Sequence, residues 1–209
     1  MSSASSRSKP VLVLATGNAG KVRELRDLLA GIPFEIRTLA DYPAFVMPEE
    51  TGATYTENAL IKARAVAAHT GALSLGDDSG IEVDALRGAP GVRSARFGGV
   101  GLDDKGRVRH LLEHIEHVPD AKRTARFVCV IALVDPGGGE RLVDGVCEGR
   151  IAREPRGTQG FGYDPVFFYP PLGVTFGELA DDAKATVSHR GLAAAAAKAV
   201  LLRANQVIG

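Results

Sequence analysis

The order of elements at the start of the chain constrains its fold more than any other feature. Residues 11–15 are a short run of large, mostly branched apolar residues, which predicts a buried strand. A polar loop at residues 16–21 follows, and apolar residues between positions 22 and 29 then recur at helical spacing. Residues 34–39 predict a second strand. This order of strand, loop, helix and strand is typical of an α/β fold.

The rest of the chain continues the alternation of helices and strands. Further helices are predicted over residues 54–70, 103–117 and 188–205. A short strand is predicted over residues 72–75, an extended segment over 81–86, and a hairpin over 126–134 and 141–151. No repeat or linker divides the sequence. We therefore predict a disordered, Ser-rich tail over residues 1–9 and one domain over residues 10–209.

Composition excludes several classes of function. Lys and Arg together number 25, as do Asp and Glu, so the formal net charge is zero. A protein that binds nucleic acid non-specifically would carry a basic excess. No apolar run approaches the roughly 18 residues that span a bilayer. We therefore expect a cytoplasmic protein with neither nucleic acid nor membrane as a partner.

The cysteines and histidines do not predict a metal site. Cys129 and Cys147 match no zinc pattern, and each lies in an apolar stretch, which predicts buried, reduced thiols. His110, His114 and His117 share one face of a predicted helix. The apolar residues of that helix define its buried face, so the histidines are predicted to face solvent.

The loop Thr-Gly-Asn-Ala-Gly-Lys at residues 16–21 has the composition of an anion-binding site. It joins a strand to a helix, where free backbone N–H groups and the helix dipole favour a negative charge. Lys21 adds a full positive charge. The loop is not a Walker A motif, because Gly17 and Gly20 are too close together and Val22 replaces the required Ser or Thr. A tight turn with an exposed lysine is the alternative.

Two groups of carboxylates are candidate metal ligands. Asp77 and Asp78 follow an apolar strand, at a strand end where α/β proteins place ligands. In an extended chain they point in different directions, so one can face the site while the other braces the loop. Magnesium prefers one or two carboxylates together with phosphates and waters. A carboxylate here could also accept a proton from an attacking water. An acidic turn without a ligand is the alternative.

Two nearby segments could complete such a site. Glu49 and Glu50 could supply a second carboxylate, although glutamates in a loop are usually only solvated. Lys62 lies near the start of a predicted helix and could reach into the same cleft. A helical lysine is, however, more often on the surface.

Residues 160–165, Gly-Phe-Gly-Tyr-Asp-Pro, combine flexible backbone with two aromatic rings and a carboxylate. A planar base could stack on Phe161 while Asp164 orients a neighbouring group or accepts a base N–H. The alternative is a packed loop. Lys184 and the Ser-His-Arg of residues 188–190 place donors just before the last helix, where they could meet a base carbonyl or phosphate oxygens.

Taken in order, these motifs resemble the inosine triphosphate pyrophosphatase (Ham1-like) family. The set consists of TGNAGK, EETGATYTENALIKARA, DDSG, GVRSAR, GFGYDP and SHR, and it covers nearly the whole chain after the tail. No departure removes an essential group. The resemblance implies an α/β fold, with an elongated mixed β-sheet flanked by helices and two lobes around a central cleft, related to Maf proteins. It also implies a homodimer.

The resemblance implies a role for each motif. Glu50 and Asp78 would bind Mg²⁺, and Asp78 would be the proton acceptor, with Glu49 left open as an alternative to Glu50. The residues that would contact the substrate are Thr16, Gly17, Asn18, Ala19, Gly20, Lys21, Lys62, Ser79, Phe161, Gly162, Tyr163, Asp164, Lys184, His189 and Arg190.

The implied reaction is hydrolysis of the non-standard purine nucleotides ITP, dITP and XTP to the monophosphate and pyrophosphate. It would remove them from the nucleotide pool before they enter DNA or RNA. Donors from His189 or Arg190 would meet a 6-carbonyl but not the amino group of adenine, and an unpaired buried donor costs about 1–3 kcal/mol. Two alternatives stay open: a Maf-like pyrophosphatase acting on pyrimidine or modified nucleotides, and a non-catalytic nucleotide sensor.

Overall fold

The computed structural model of the chain describes residues 9–99 and 101–208. Most of the tail predicted at residues 1–9 therefore lies outside the described residues. The described chain builds one seven-stranded sheet. Its strands are β1 Val11–Leu14, β2 Glu35–Thr38, β3 Leu73–Val83, β4 Thr124–Val134, β5 Glu140–Ile151, β6 Phe167–Tyr169 and β7 Val174–Thr175.

The strands lie in the order β2-β1-β3-β4-β5-β6-β7. β1 is parallel to both β2 and β3, whereas every later pair is antiparallel. The predicted hairpin is present as β4 and β5. A mixed sheet with flanking helices confirms the predicted α/β class.

The helices of the described chain are α1 Ala19–Leu28, α2 Tyr55–Thr70, α3 Asp104–His114, α4 Asp181–Val187 and α5 His189–Ile208. The first three begin where the sequence offers a side-chain cap. Asn18 caps α1, Asp103 caps α3, and Thr54 and Glu57 form a capping box at the start of α2. Each cap satisfies backbone N–H groups that a helix start leaves without partners. Across residues 9–99 and 101–208, no helix is both long and apolar enough to cross a bilayer.

Two glycines let helices approach the sheet closely. A Cβ at Gly76 in β3 would collide with the backbone oxygen of Ala59 in α2. A Cβ at Gly145 in β5 would collide with the backbone oxygen of His189 at the start of α5. Since α2 carries Lys62 and α5 begins at His189, these contacts fix two of the predicted site residues against the sheet.

The apolar core is divided into two main clusters. One contains Ile81, Leu111, Phe127, Phe167 and Phe176, and gathers α3 with the second half of the sheet. The other joins β1, α1 and α5, and it contains Leu12, Leu25, Leu75, Ile131 and Ala197. This division corresponds to the two lobes that the resemblance implied.

The strand predicted at residues 72–75 is present, but the prediction that it ends at residue 75 was wrong. β3 runs through Asp77 and Asp78 to Val83, so both acidic residues lie inside the strand rather than at its end. β4 pairs with β3 along its length from Ser74 onwards and satisfies the backbone there. β1, by contrast, pairs with β3 only as far as Leu75. The parallel ladder therefore ends just before the acidic residues, and one edge of β3 is free of β1 from that point.

Candidate active site

A cleft with a volume of about 420 Å³ opens at this free edge of β3. Most of the predicted site residues line it, namely Thr16, Gly17, Asn18, Lys21, Glu50, Lys62, Asp78, Ser79, Phe161, Tyr163, Asp164, Lys184, His189 and Arg190. Ala19, Gly20 and Gly162 do not. A larger cavity of about 950 Å³ lies between α3 and residues 153–165, but it holds only Phe161 and Gly162 of the predicted set.

The loop at residues 16–21 is ordered by its own side chains. The Asn18 backbone N–H donates to Thr16 Oγ1 over 3.2 Å, and Lys21 N–H donates to Asn18 Oδ1 over 3.1 Å. A Cβ at Gly20 would lie 2.7 Å from the ring of Phe161. Glycine is therefore required at position 20 because the aromatic ring of the later loop packs on the start of α1.

Asp77 is the buried counter-ion of two site cations. Its Oδ2 atom lies 3.0 Å from Lys21 Nζ and 3.5 Å from Arg190 Nε, and its side chain is fully buried. Burial would raise the pKa of Asp77, but the charges of Lys21, Arg190 and Lys62 outweigh it and hold the pKa well below its usual range. Asp77 is thus the carboxylate that was predicted to face away from the site, and it links Lys21 to Arg190.

Glu24 in α1 is a second counter-ion, 14% exposed, and sequence reasoning missed it. Lys184 Nζ donates to its Oε1 atom and Arg190 Nη1 to its Oε2 atom, each over 2.7 Å. Burial would raise the pKa of Glu24, but Arg190 and Lys184 reverse that effect and lower it. Its position one helical turn after Lys21 was the only signal in the sequence, and it was too weak to use.

Asp164 holds its own loop and Lys184 rather than standing free for a ligand. Its Oδ2 atom accepts from Phe161 N–H over 2.8 Å and from Lys184 Nζ over 2.6 Å. Two residues outside the predicted set fix the same loop: Tyr163 Oη donates to the Ser94 carbonyl, and Gly162 N–H donates to Asp104 Oδ2. Residues 160–165 are therefore held in place by hydrogen bonds to Ser94, Asp104 and Lys184.

Phe127, His189 and Arg190 line one end of the cleft. The ring of His189 stacks on Phe127, with the ring centroids 4.5 Å apart and the planes 12° from parallel. Burial, together with Arg190 and Lys184, lowers the pKa of His189 well below its usual value, so the imidazole is neutral at pH 7. Arg190 Nη2 donates to Ser79 Oγ over 2.7 Å. A neutral imidazole and a guanidinium together offer N–H donors to a ligand.

The opposite end of the cleft gathers two carboxylates around one cation. Lys62 Nζ lies 2.5 Å from Glu50 Oε1 and 3.6 Å from Asp78 Oδ1. Glu49 is exposed and does not line the cleft, which favours Glu50 as the ligand of a metal. The oxygen donors and their convergence on a positive charge fit Mg²⁺, which needs only one or two carboxylates in addition to substrate oxygens.

Burial raises the pKa of Asp78, although Lys62 and Lys21 act in the opposite direction. A carboxylate with a raised pKa is a stronger proton acceptor. Asn58, which sequence reasoning also missed, donates to Asp78 Oδ2 over 3.1 Å.

The two ends of the cleft lie on opposite faces of the sheet. Asp78 points to the face covered by α2, whereas Asp77, its neighbour in β3, points to the face covered by α1 and α5. Because β1 has ended, the cleft continues around the edge of β3 from one face to the other. The predicted divergence of the two carboxylates is therefore present in the structure.

The cysteines are placed as predicted: Cys129 and Cys147 are buried and free, and burial raises the pKa of each thiol to about 12. Of the three histidines predicted to face solvent, His114 and His117 are exposed. His110 is half-buried, because its ring packs on Phe97 with the ring centroids 5.0 Å apart. Within the part of the chain that the structure describes, no three His, Cys, Asp or Glu side chains are grouped closely enough to hold a metal ion.

Residues 12–200 match the model of the Ham1 family. A dITP/XTP pyrophosphatase of Desulforamulus reducens is 50% identical over 192 residues, which cover 92% of this chain and 96% of the relative. A dITP/XTP pyrophosphatase of Thermus thermophilus is 52% identical over 87% of each chain. The structure of a HAM1 protein from Coxiella burnetii superposes with a TM-score of 0.85 at 41% identity, covering 93% of this chain and 99% of that one.

Proposed function

The chain belongs to the Ham1 family, and from that premise we propose that it hydrolyses ITP, dITP and XTP to the monophosphate and pyrophosphate. The protein is an enzyme, a nucleoside triphosphate pyrophosphatase that removes non-standard purine nucleotides from the pool. One observation carries this conclusion: a single cleft joins Lys62, Glu50 and Asp78 at one end to His189 and Arg190 at the other.

The end of the cleft that contains Lys62, Glu50 and Asp78, the phosphate end, supplies positive charge and a proton acceptor. Lys62 at this end, and Lys21 from the face covered by α1 and α5, would stabilise the negative charge that develops on the phosphate oxygens, and both are already held in place by carboxylates. Asp78 would accept the proton of the water that attacks the α-phosphorus. When bound by Glu50 and Asp78, Mg²⁺ supplies charge neutralisation and orients the phosphate oxygens.

The base end supplies N–H donors that favour a 6-carbonyl. His189 is neutral and Arg190 is charged, so both can donate to the oxygen of hypoxanthine or xanthine. Adenine presents an amino group at that position and would leave a buried donor unpaired. We therefore place the discrimination against ATP at these two side chains.

The first test is pyrophosphate release from ITP, dITP, XTP, GTP, ATP, dUTP and dTTP. We expect kcat/KM for ITP and XTP to exceed that for ATP by roughly 10- to 100-fold, since one unpaired buried donor costs that much. Release from dTTP but not from ITP would favour the Maf-like alternative. Binding of ITP without release would favour the nucleotide sensor.

Removal of divalent metal is expected to lower the rate of ITP hydrolysis by about 100-fold or more, because the two carboxylates alone repel the triphosphate. The enzyme would be treated with EDTA, desalted and assayed before and after addition of MgCl₂. Thermal unfolding of the treated protein is the control for loss of structure. Full activity in the metal-free sample would contradict the assignment of Glu50 and Asp78.

We propose further that residues 10–209 form one two-lobed domain, because a single sheet runs through both apolar clusters. We also place the protein in the cytoplasm. Its two thiols are buried and unpaired, and such cysteines are typical of proteins in a reducing compartment. Neither a nucleic acid nor a membrane is a proposed partner.

We propose a homodimer formed through the outer face of β4 and β5. Leu142 and Val146 are 49% and 40% exposed on the same face of β5, with the exposed Asp144 between them. Ion pairs lie at both ends of this strip, Arg64–Glu140 at one and Arg126–Glu148 at the other. Under a twofold axis the ion pair at one end of the strip would face the ion pair at the other end of the partner's strip, and Leu142 and Val146 would be buried between them.

The double substitution Leu142→Glu with Val146→Glu is expected to convert the dimer to monomers, because it places four like charges in the interface of a symmetric pair. Light scattering coupled to gel filtration measures the mass. Leu172→Glu is the matched control, since Leu172 is 51% exposed and lies outside this face. A wild-type protein that is already monomeric would refute the dimer.

A further inference from the structure

Asn58 is a fully buried polar side chain at the start of α2, next to the phosphate end of the cleft. Its Oδ1 atom accepts a hydrogen bond from Gly52 N–H over 2.8 Å. Its Nδ2 atom donates to Asp78 Oδ2 over 3.1 Å. Both polar atoms of the amide are therefore hydrogen-bonded, and they link the loop before α2 to β3.

The two groups that Asn58 joins carry the proposed metal ligands. Gly52 lies two residues after Glu50 in the loop before α2, and Asp78 lies in β3. Asp78 Oδ2 is occupied by the amide, and the other oxygen, Oδ1, faces Lys62 Nζ beside Glu50. Asn58 thus fixes both the rotation of the Asp78 carboxylate and the distance of the Glu50 loop from it.

The loop is packed tightly on this amide. A Cβ at Gly52 would lie 2.6 Å from Asn58 Oδ1, which leaves room only for glycine. An amide is also the only side chain of this size with both an acceptor and a donor for these two partners, because a carboxylate lacks the donor and leucine lacks both.

Asn58 is not needed to cap its helix. Thr54 accepts from Glu57 N–H, and the Glu57 carboxylate accepts from the N–H groups of Ala53 and Thr54. The start of α2 is therefore satisfied without Asn58. What remains unexplained by a capping role is the bond from Asn58 to Asp78, a residue 20 positions away in the sequence.

We propose that Asn58 is a positioning residue that holds Glu50 and Asp78 at the separation needed to bind one divalent cation. The assignment of Glu50 and Asp78 as metal ligands rests on the proposed function, but binding of the cation can be measured without the substrate. Groups that orient metal ligands in this way typically change metal affinity by 10- to 100-fold when they are removed.

The test uses Asn58→Leu, which keeps the number and branching of the side-chain heavy atoms but neither hydrogen bond, and Asn58→Ala as a second, smaller variant. Ser74→Ala is the matched control. Ser74 Oγ donates to the carbonyl of Ala63, so this change also removes a buried bond between β3 and α2, away from the carboxylates. Thermal unfolding of all variants identifies any that fail to fold.

Binding of Mn²⁺ alone, measured from the EPR signal of the free ion, is the first readout. We expect the Mn²⁺ Kd to rise at least about 10-fold in both Asn58 variants and to stay at the wild-type value in Ser74→Ala. The Mg²⁺ concentration for half-maximal ITP hydrolysis is expected to rise in parallel, and excess Mg²⁺ should restore much of kcat. A merely structural role would lower stability without this shift.

The two proposals can fail separately. If the wild-type enzyme releases no pyrophosphate from ITP, the Mn²⁺ measurement still tests Asn58. If the wild type is active and folded Asn58→Leu has wild-type Mn²⁺ affinity and Mg²⁺ dependence, the positioning role is refuted and the proposed function is unaffected.

Discussion

Asp78→Asn is expected to lower pyrophosphate release from ITP by about 1,000-fold or more while the protein stays folded. The substitution removes the proton acceptor, whose loss alone typically costs 10²–10⁴-fold, and weakens the proposed metal site. The fold should tolerate it, because burial raises the pKa of Asp78 and so disfavours its charged form. Steady-state assays and thermal unfolding measure the two effects.

Glu49→Gln is the matched control for this prediction. Glu49 is exposed, outside the cleft and next to Glu50 in the chain. We expect its loss to change kcat/KM by less than about twofold, since removal of an exposed, solvent-screened charge has little effect on a buried site. Near-normal turnover by Asp78→Asn would exclude that residue as proton acceptor.

Asp77→Asn, unlike Asp78→Asn, is expected to destabilise the fold and to lower the free energy of unfolding by about 3–5 kcal/mol. It leaves Arg190 and the largely buried Lys21 without the carboxylate that compensates their charges. Turnover should fall as well, because both cations lose their position. Denaturant unfolding at pH 7 measures the loss, and a variant as stable as the wild type would show that Asp77 is dispensable.

The pH dependence of stability gives an independent test of Asp77. A carboxylate whose pKa is depressed in the folded state stabilises the protein above its unfolded pKa of about 3.9. That contribution is lost as the pH falls towards the lower, folded pKa. The wild type should therefore lose stability below about pH 4 more steeply than Asp77→Asn does. Parallel curves for the two proteins would contradict the assignment.

The fold was predictable as far as its elements were long. The predicted positions of α2, α5 and the β4–β5 hairpin agree with the structure, because each has many residues that share one period. β1 has only four residues and was recognised because all of them are apolar. β7 has two residues and α4 has seven, which is too little pattern to recognise. The end of β3 was misplaced because polar residues in a strand interior resemble a loop. Only the pairing with β4, which is a tertiary contact, shows that these polar residues belong to the strand.

The site was predictable where chemistry lies in a compact motif, and unpredictable where it depends on distant partners. The loop at 16–21 and the Ser-His-Arg at 188–190 were found because their residue types are contiguous. Glu24 and Asn58 were missed, since each looks like an ordinary helical polar residue. Glu24 acquires its role from Lys184 and Arg190, more than 150 residues away in the chain.

The free edge of β3 has a consequence for turnover. In the proposed binding mode an intact triphosphate would pass around this edge and would be held from both sides of the sheet at once, so that its two attachments would reinforce each other as the arms of a bivalent ligand do. Cleavage at the α-phosphorus would separate the pyrophosphate from the base that is bound near His189. The pyrophosphate would then be held through a single arm, so the chemical step itself would loosen it.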